Sequence, residues 1–441
     1  MQFDEALRYL FSLGHETLAI KLGLRNTELL LDALGNPQTS YASVQIAGTN
    51  GKGSTAVVLD SICRAAGVKT GLFTSPHLVS ITERIKIGGR EISPVDFARL
   101  TTEVRDTAKR LLAENRIEAL PTFFEHVTAI ALLAFREAGV DLAILETGLG
   151  GRLDSTTVAR AETIAITPIS MDHQEYLGET LTEIAAEKAA IIRPGVVAII
   201  APQPGEALGV VLRQCESCGV IPQIDDCAAL VLDAADLGRL RVTFETGKDR
   251  YEAVSLGLRG RHQVINVSVA IRLAESLREY GFRIAREAII LGIEQASHPG
   301  RLELCEGRPR LLFDGAHNPS GAQALRDYLD EFIDRPVTLV FGAMRDKNLE
   351  EMADILFPAA HKLILTQPNN PRATTVEMLE RVASGKFNSQ RVTLKPSTTD
   401  ALRAAYAQTT GAELICVTGS LYLIGEVQAA LAGTSEVAKQ P

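Results

Sequence analysis

The sequence predicts an α/β protein with a doubly wound, mostly parallel sheet and an appended β-hairpin, followed by a smaller Rossmann-like C-terminal α/β domain. Apolar runs rich in β-branched residues alternate with helix-period segments along most of the 441 residues, as in parallel sheets covered by helices. Pro299 and Gly300 interrupt this alternation, and a chain of this length is expected to form more than one core. We therefore place one domain at residues 1–298 and a second at residues 299–441.

The overall composition limits the classes of partner. There are 45 Lys and Arg residues against 54 Asp and Glu, and the formal net charge of −9 argues against nucleic acid. No apolar run is long enough to span a membrane, and the amphipathic first 13 residues, with Asp4, Glu5 and Arg8, do not resemble a signal peptide. We expect a cytoplasmic protein without nucleic-acid or membrane partners, and we treat it as a monomer.

The six cysteines are scattered, which is typical of reduced thiols in a cytoplasm. Cys215 and Cys218 form a CxxC, but no second pair and no histidine accompany it. We therefore interpret this pair as incidental and not as a zinc site.

The most informative stretch is SVQIAGTNGKGST, residues 43–55. The apolar run 43–47 predicts a buried strand, the glycine-rich segment 48–54 a loop, and residues 55–66 a helix. In this P-loop-like geometry, backbone N–H groups and a helix N-terminus point at a phosphate, and Lys52 adds a positive charge. The stretch therefore predicts a nucleoside triphosphate site.

This loop departs from the usual P-loop pattern. Ile46 stands where the first glycine would be, and Gly53 follows the lysine where Ser or Thr is expected. A tight strand-to-helix turn with an exposed lysine is the alternative interpretation.

Three further strand-like runs of the first domain lead to side chains that can bind a metal ion. Residues 68–74 run into Ser75, residues 141–146 end in Glu146, and residues 162–169 precede His173. The carboxyl ends of parallel strands meet at one edge of a sheet, so these side chains are expected beside the glycine loop, as in a Mg²⁺–nucleotide site. Ser75 could instead be a turn residue, and His173 a loop histidine bonded to backbone, whereas a carboxylate ending a buried strand needs a cation or donors.

Helix-period segments connect these strands, at residues 94–115 (capped by Ser93), 122–138, 181–192 and 260–277. Lys188 shares the apolar face of the third helix with Ile184 and Ile191, which is an expensive place for an ammonium. The alternative is a lysine whose charged end reaches the surface.

The remaining pattern describes the hairpin and the second domain. Residues 240–258 change to a period of two around a Thr-Gly-Lys-Asp turn, which predicts a β-hairpin, placed as an antiparallel edge of the sheet. Beyond Gly300, five strand-like runs alternate mostly with helices, at residues 311–313, 337–341, 362–366, 391–395 and 414–418. The first of them leads into DGAHNP, residues 314–319.

Nine segments resemble the folylpolyglutamate synthase family of the Mur ligase superfamily, and in particular its bacterial bifunctional dihydrofolate synthase/folylpolyglutamate synthase members. They are GTNGKGS, SPHL, TFFE, ETGLGGRLDST, DHQEYLG, EKAAIIRPG, PGRLE, DGAHNP and TGSLYLIGEV, in order between Gly48 and Val427. The departures of the glycine loop are this family's own form. The resemblance implies an ATP- and Mg²⁺-dependent ligase that adds L-glutamate to reduced folates and to 7,8-dihydropteroate through an acyl phosphate.

The resemblance also implies roles for individual residues. ATP would be bound by Gly48, Thr49, Asn50, Gly51, Lys52, Gly53, Ser54, Asn266, Arg301 and Asp314. Two Mg²⁺ ions would be held by Ser75, Glu146, His173 and Lys188, the last as a carbamate. The pterin pocket would be lined by Thr122, Phe123, Phe124, Glu125, Leu153 and residues 20–23, while His317 and Ser420 would face the incoming glutamate. Lys52, His173, Lys188 and His317 would be the catalytic residues.

In such a reaction ATP converts a carboxylate, which is a poor electrophile, into an acyl phosphate, and the amino group of glutamate displaces phosphate. A cleft that closes between two domains would keep water from the acyl phosphate. Three alternatives stay open: a single-function folylpolyglutamate synthase, another Mur-type amino-acid ligase, and a nucleotide-dependent switch without ligase chemistry. The last would leave the second α/β domain unexplained.

Overall fold

The computed structural model describes residues 1–14 and 23–437, with side chains described up to residue 432, and contains three sheets in these ranges. The first sheet has eight strands: β1 (Ala42–Ala47), β2 (Thr70–Phe73), β3 (Ile85–Ile87), β4 (Arg90–Glu91), β5 (Leu142–Glu146), β6 (Thr163–Ile166), β7 (Val197–Ile200) and β8 (Gln223–Ile224). Their order is β4-β3-β2-β5-β1-β6-β7-β8, and all neighbours are parallel except the β2–β3 and β3–β4 pairs at one edge.

Helices cover both faces of this sheet, which confirms the doubly wound architecture. They are α1 (Phe3–Ser12), α2 (Arg25–Ala33), α3 (Lys52–Ala65), α4 (Pro94–Ala113), α5 (Phe123–Ala138), α6 (Gln174–Leu177), α7 (Leu181–Ala189), α8 (Gly205–Ser217), α9 (His262–Glu279) and α10 (Arg286–Gln295). The predicted caps are present: the Ser93 hydroxyl accepts the Asp96 N–H at 3.0 Å, and Gly139 ends α5 in the left-handed region, with φ 61°.

The predicted hairpin forms, but it is not an edge of the first sheet. Its strands, β10 (Arg239–Glu245) and β11 (Arg250–Arg259), join β9 (Ala228–Ala235) in a separate three-stranded antiparallel sheet. Alternate side chains of the hairpin, such as Val242, Phe244 and Tyr251, are fully buried in the core that α3, α9 and α10 share with it. The period of two therefore reflects one face packed on helices, with the other face exposed.

The second domain contains a six-stranded sheet: β12 (Glu303–Cys305), β13 (Arg310–Asp314), β14 (Val337–Phe341), β15 (Lys362–Thr366), β16 (Val392–Lys395) and β17 (Leu414–Thr418). The order is β12-β13-β17-β14-β15-β16, with β12 alone antiparallel to its neighbour. Its helices are α11 (Pro319–Phe332), α12 (Leu349–Leu356), α13 (Val376–Ala383), α14 (Thr398–Gln408) and α15 (Leu421–Val437). All five predicted strands are confirmed, and β12 is an addition.

The two halves pack together through the loop that follows β2. A Cβ atom on Gly425, in α15, would lie 1.9 Å from the carbonyl oxygen of Leu78, so only glycine permits this contact. The contact places the loop that contains Ser75 against the second domain. Among the described helices, none combines the length and the apolar character that a membrane span requires.

Candidate active site

A cavity of about 730 Å³ lies where the carboxyl ends of the first sheet's parallel strands face the second domain. Most of the residues predicted for the site line it. They are Thr49, Asn50, Gly51, Lys52, Gly53, Ser54, Ser75, Thr122, Phe124, Glu125, Glu146, Leu153, His173, Lys188, Asn266, Arg301, Asp314, His317 and Ser420. The fold therefore brings together side chains that are up to about 370 positions apart in the sequence.

The glycine loop has the tight geometry that its sequence predicts. Gly51 has φ +88°, and a Cβ there would lie 2.1 Å from Asn266 Oδ1; at Gly48, with φ +148°, it would lie 2.0 Å from Thr167 Oγ1. Helix α3 begins at Lys52, directly after this turn. The N–H groups of its first turn have no acceptor within the helix, so they are available to an anion in the cavity.

Lys52 is close to the loop that it follows. Its Nζ donates to the carbonyl oxygen of Thr49 at 3.1 Å. Burial lowers the pKa of Lys52, while the carboxylates of Glu146 and Asp172 act against that shift. A phosphate group bound in the cavity would provide a negative charge that stabilises the protonated form of the Lys52 amine.

Glu146 and Ser75 form the acidic side of the site. Glu146 ends β5, is 5% exposed, and accepts the backbone N–H of Ser75 at 3.1 Å. Burial raises the pKa of this carboxyl, and the Lys52 charge opposes the rise. A carboxylate and a hydroxyl at one wall of the cavity are hard oxygen ligands, so this pair fits a Mg²⁺ ion.

His173 has a ring nitrogen that finds no hydrogen-bond partner among the residues that the structure describes. Its Nδ1 is buried and unpaired, and burial lowers the pKa of the ring to about 3, which leaves the imidazole neutral. Within the described ranges, no three His, Cys, Asp or Glu side chains are arranged to hold a metal ion. Of the predicted metal ligands, only Glu146 and His173 are of these types. A second Mg²⁺ ion would therefore also need the oxygen atoms of a carbamylated Lys188.

Lys188 does not extend to the surface. It is 4% exposed, and its Nζ donates to the carbonyl oxygen of Gly48 at 2.8 Å. Burial, followed by the nearby Lys52 charge, lowers the pKa of Lys188 to about 7. The two predicted neighbours, Ile184 on the same helix face and Ile191 just beyond the end of α7, are fully buried. A substantial neutral fraction can react with CO₂, so the carbamate stays a prediction with a physical basis.

The segment TFFE separates into two roles. Phe124 lines the cavity. Its ring packs against Gly148, so closely that a Cβ atom added to Gly148 would lie 2.5 Å from the ring. Phe123 does not line the cavity, because it points into the core, is 3% exposed, and stacks on Phe11 with ring centroids 5.8 Å apart. The structure therefore places only one of the two predicted aromatic rings at the site.

Glu125 is at the cavity wall, but both of its carboxylate oxygens already accept hydrogen bonds. One accepts the Thr122 N–H at 2.7 Å and the other the Thr27 hydroxyl at 2.8 Å. Thr122 in turn caps α5, so the pair forms a capping box that begins the helix. Residues 20–22, predicted as part of the pterin pocket, lie outside the described residues, whereas Gly23 lines the cavity.

Asn266, Arg301 and Asp314, which are predicted to bind the nucleoside and phosphates, also line the cavity. Asp314 accepts the N–H groups of Leu302 and Ala316, each at 3.0 Å, and Arg301 donates to the Gly315 carbonyl at 3.1 Å. Asn266 donates to Gln263 Oε1 at 2.8 Å. These contacts fix the orientation of each side chain, with part of its polar surface facing the cavity.

The second domain adds His317 and Ser420. The His317 Nδ1 lies 2.8 Å from the Gly315 carbonyl, and its Nε2 lies 3.5 Å from Asp172 Oδ2. Ser420 is 2% exposed, and its hydroxyl accepts the Tyr422 N–H at 3.1 Å at the start of α15.

Several residues of this site are not among those predicted from the sequence, including Asp172, His298 and Lys347, which line the cavity, and Asn318, which is bonded to Asp172. Asp172 and Asn318 lie inside quoted segments, next to the histidines that were singled out. His298 and Lys347 are isolated loop residues, so only the tertiary structure identifies them. The His298 Nδ1 lies 3.2 Å from the Ser54 hydroxyl.

The chain matches two protein-family models, the Mur ligase middle domain over residues 46–274 and the Mur ligase glutamate ligase domain over residues 300–421. A Bacillus subtilis protein named dihydrofolate synthase/folylpolyglutamate synthase is 33% identical over 420 residues, which covers 94% of this chain and 96% of the relative. This chain belongs to the folylpolyglutamate synthase family of Mur ligases.

Two further members of the folylpolyglutamate synthase family place the chain within it. A Haloferax volcanii protein described as a probable bifunctional folylpolyglutamate synthase/dihydropteroate synthase is 35% identical over 434 residues, and the chain spans about half (50%) of its length. The structure of Escherichia coli FolC in complex with DHPP and ADP is similar with a TM-score of 0.87 and 29% identity, over 99% of both chains. The Mur-ligase fold predicted from the sequence is thus confirmed.

Proposed function

We propose that this protein is an ATP- and Mg²⁺-dependent ligase that adds L-glutamate to reduced folates and to 7,8-dihydropteroate through an acyl phosphate. One observation supports this most strongly: a single cavity is lined by the glycine loop and Glu146 on one side and by His317 and Ser420 on the other. That arrangement offers one place for a nucleotide and another for an acceptor amine. Family membership and the ADP-containing E. coli neighbour give further support.

The first chemical step would be supported by the glycine loop. The N–H groups at the start of α3 and the Lys52 amine would bind the transferring phosphoryl group and stabilise its developing charge. Ser75 and Glu146 would hold one Mg²⁺ ion, and His173 and carbamylated Lys188 would contribute to a second. When bound, the metal ions would neutralise phosphate charge and keep the reacting oxygens in line.

The second step would use the second domain. We propose that His317 and Ser420 hold the incoming glutamate so that its amino group faces the acyl carbon. Because the cavity lies between the two halves of the chain, closure would exclude water from an intermediate that hydrolyses readily.

The pterin would lie against Phe124, whose flat apolar face suits a fused ring. Leu153, 40% exposed at the cavity wall, would cover part of the same substrate. The Bacillus subtilis relative is named for both dihydrofolate synthase and folylpolyglutamate synthase activities, which supports activity on dihydropteroate in addition to folate extension. A single-function folylpolyglutamate synthase is the second candidate, because extension requires the same chemistry at a glutamate carboxylate.

The test is an ADP-release assay with L-glutamate, in which 7,8-dihydropteroate and tetrahydrofolate are supplied side by side and products are identified by mass. We expect release with either acceptor, dependent on both glutamate and Mg²⁺, and loss of most turnover in Lys52→Ala. Product from tetrahydrofolate alone would leave the single-function enzyme. No glutamate-dependent ADP release with either acceptor would overturn the proposal.

We further propose a cytoplasmic monomer with domains at residues 1–298 and 299–441. All six cysteines are free, which suits a reducing compartment. Light scattering on the purified protein should give a mass near 47.5 kDa, and limited proteolysis should cut between the two domains.

A further inference from the structure

A buried ion pair joins the two halves of the cleft. Lys347, in the loop after β14, places its Nζ 2.7 Å from Asp172 Oδ1, in the loop after β6, and both side chains are 6% exposed. A buried lysine and carboxylate stabilise each other only while both are present, because removing one leaves an uncompensated charge. The pair therefore links the two halves of the chain directly across the cleft.

Asp172 also connects to other residues of the second domain. Its Oδ2 accepts the Asn318 amide at 3.0 Å and lies 3.5 Å from His317 Nε2, while Oδ1 also accepts the His173 backbone N–H at 2.9 Å. Both oxygens of the Asp172 carboxylate are therefore engaged, Oδ1 by Lys347 and the His173 N–H and Oδ2 by Asn318.

Asn318 extends the connection to the glycine loop. The same Nδ2 that donates to Asp172 also lies 3.1 Å from Asn50 Oδ1, and the residue is 2% exposed. Its Oδ1 accepts the Gly321 N–H at 2.8 Å and so caps α11. The start of α11, which follows His317 directly, is therefore bound to the loop that would hold phosphate.

The loop that presents Lys347 is braced on its other side. Asp346 forms an ion pair of 2.9 Å with Arg372, the Arg345 N–H donates to the Arg372 carbonyl at 2.9 Å, and Met344 forms a β-bridge with Ala373. The Lys347 ammonium is consequently held by a rigid backbone and does not depend on a flexible loop.

We propose that Lys347 is a positioning residue for the ligase reaction: by holding Asp172, it seats Asn318 and His317 of the second domain over the glycine loop. This rests on the proposed function. In this account Lys347 acts through Asp172 and does not contact the reacting atoms. Without it, the buried carboxylate keeps fewer partners, the closed arrangement is populated less, and the attacking amine is placed less accurately.

The experiment is a double-mutant cycle with Lys347→Met, Asp172→Asn and the double variant, together with Lys347→Arg. Lys386→Met is the matched control, because Lys386 lies in the same domain but pairs with Asp354, which is 62% exposed. The measured quantities are kcat and KM for ATP and glutamate, and backbone hydrogen exchange of residues 170–178 and 317–323 in the ligand-free protein.

We expect Lys347→Met to lower kcat/KM for glutamate by roughly tenfold or more while KM for ATP stays near the wild-type value. The double variant should be no worse than the more damaging single variant, Lys347→Arg should recover part of the activity, and Lys386→Met should behave as wild type. Hydrogen exchange in both segments should accelerate in Lys347→Met.

Additive effects of the two single substitutions would overturn the proposal, and would indicate that Lys347 contacts glutamate itself. Wild-type kinetics in Lys347→Met would overturn it as well. If the wild-type protein releases no ADP with glutamate, the ligase function fails, but hydrogen exchange still tests the coupling of Lys347 to the two segments. Unchanged exchange would then overturn the positioning role.

Discussion

The Lys188 Nζ donates a 2.8 Å hydrogen bond to the carbonyl oxygen of Gly48, the first glycine of the phosphate loop. A lysine on the apolar face of α7 is thus positioned at the turn of the glycine loop, where we propose that ATP binds. Conversion of its amine to a carbamate would replace this donor with a negative oxygen ligand beside the predicted metal site. The contact gives the predicted carbamate of Lys188 a structural basis.

We predict that Lys188→Ala lowers turnover by roughly 100-fold, because the proposed ligand of the second metal ion would be lost. A short carboxylate such as acetate should restore part of the activity by occupying the space of the carbamate. ADP release with and without acetate measures both effects, and Lys69→Ala, at an exposed position of the same domain, is the control. Mass spectrometry of an active, metal-loaded sample that shows only unmodified Lys188 would contradict the carbamate.

The pH dependence of stability tests the unmodified amine. Burial lowers the pKa of Lys188 from 10.5 to about 7, so between these values the unfolded chain binds more protons than the folded one, and stability rises with pH. We expect the free energy of unfolding of the wild type, relative to Lys188→Met, to increase across this window. Urea denaturation in CO₂-free buffer measures it. A difference that stays constant from pH 7 to 10 would argue against a buried neutral lysine.

The two phenylalanines of TFFE should respond differently to truncation. Phe123→Ala removes a buried core ring and should destabilise the fold by about 3–5 kcal/mol. Phe124→Ala should cost less stability but raise KM for dihydropteroate, because its ring lines the cavity. Urea denaturation and steady-state kinetics on both variants separate the effects. Equal KM values for the Phe124 variant and the wild type would exclude a pterin contact.

Gly425 should tolerate no side chain. The Leu78 carbonyl oxygen lies 1.9 Å from where a Cβ would be, so Gly425→Ala should displace α15 from the loop that contains Ser75 and lower turnover. Gly209→Ala is the matched control, since a Cβ there would approach, among the described residues, only the end of the flexible Arg213 side chain, at 3.4 Å. Because Gly209 lies inside helix α8, Gly209→Ala should raise the free energy of unfolding by up to about 1 kcal/mol. Full activity of Gly425→Ala would contradict this packing.

Much of the fold could be predicted because both large sheets are mostly parallel and buried on both faces. Their strands are continuous apolar runs, such as residues 141–146 and 414–418, and these are easily recognised. The strands at or next to the sheet edges, β3, β4, β8 and β12, have only two or three residues, too few for a period to show. Strand β9 is almost wholly exposed, so it has no alternation, and the hairpin was consequently placed at the wrong sheet.

The site was predictable to the extent that strand ends converge. Glu146, Ser75 and the glycine loop meet because parallel topology requires it. Side-chain directions were not predictable in the same way: Phe123 and Phe124 are adjacent, yet only one faces the cavity. Thr122 and Glu125 also match a capping box, which the sequence itself signals. Lys347 depends on a contact across 175 positions, which no local pattern encodes.

The central claim, activation of a carboxylate by ATP in this cavity, is tested most directly by following oxygen. Dihydropteroate labelled with ¹⁸O in its carboxylate is incubated with the enzyme, ATP, Mg²⁺ and L-glutamate, and the inorganic phosphate is analysed by mass. An acyl phosphate transfers one carboxylate oxygen to phosphate when the amine attacks, so we predict one ¹⁸O atom in phosphate for each amide formed. Amide formation with unlabelled phosphate would contradict the account.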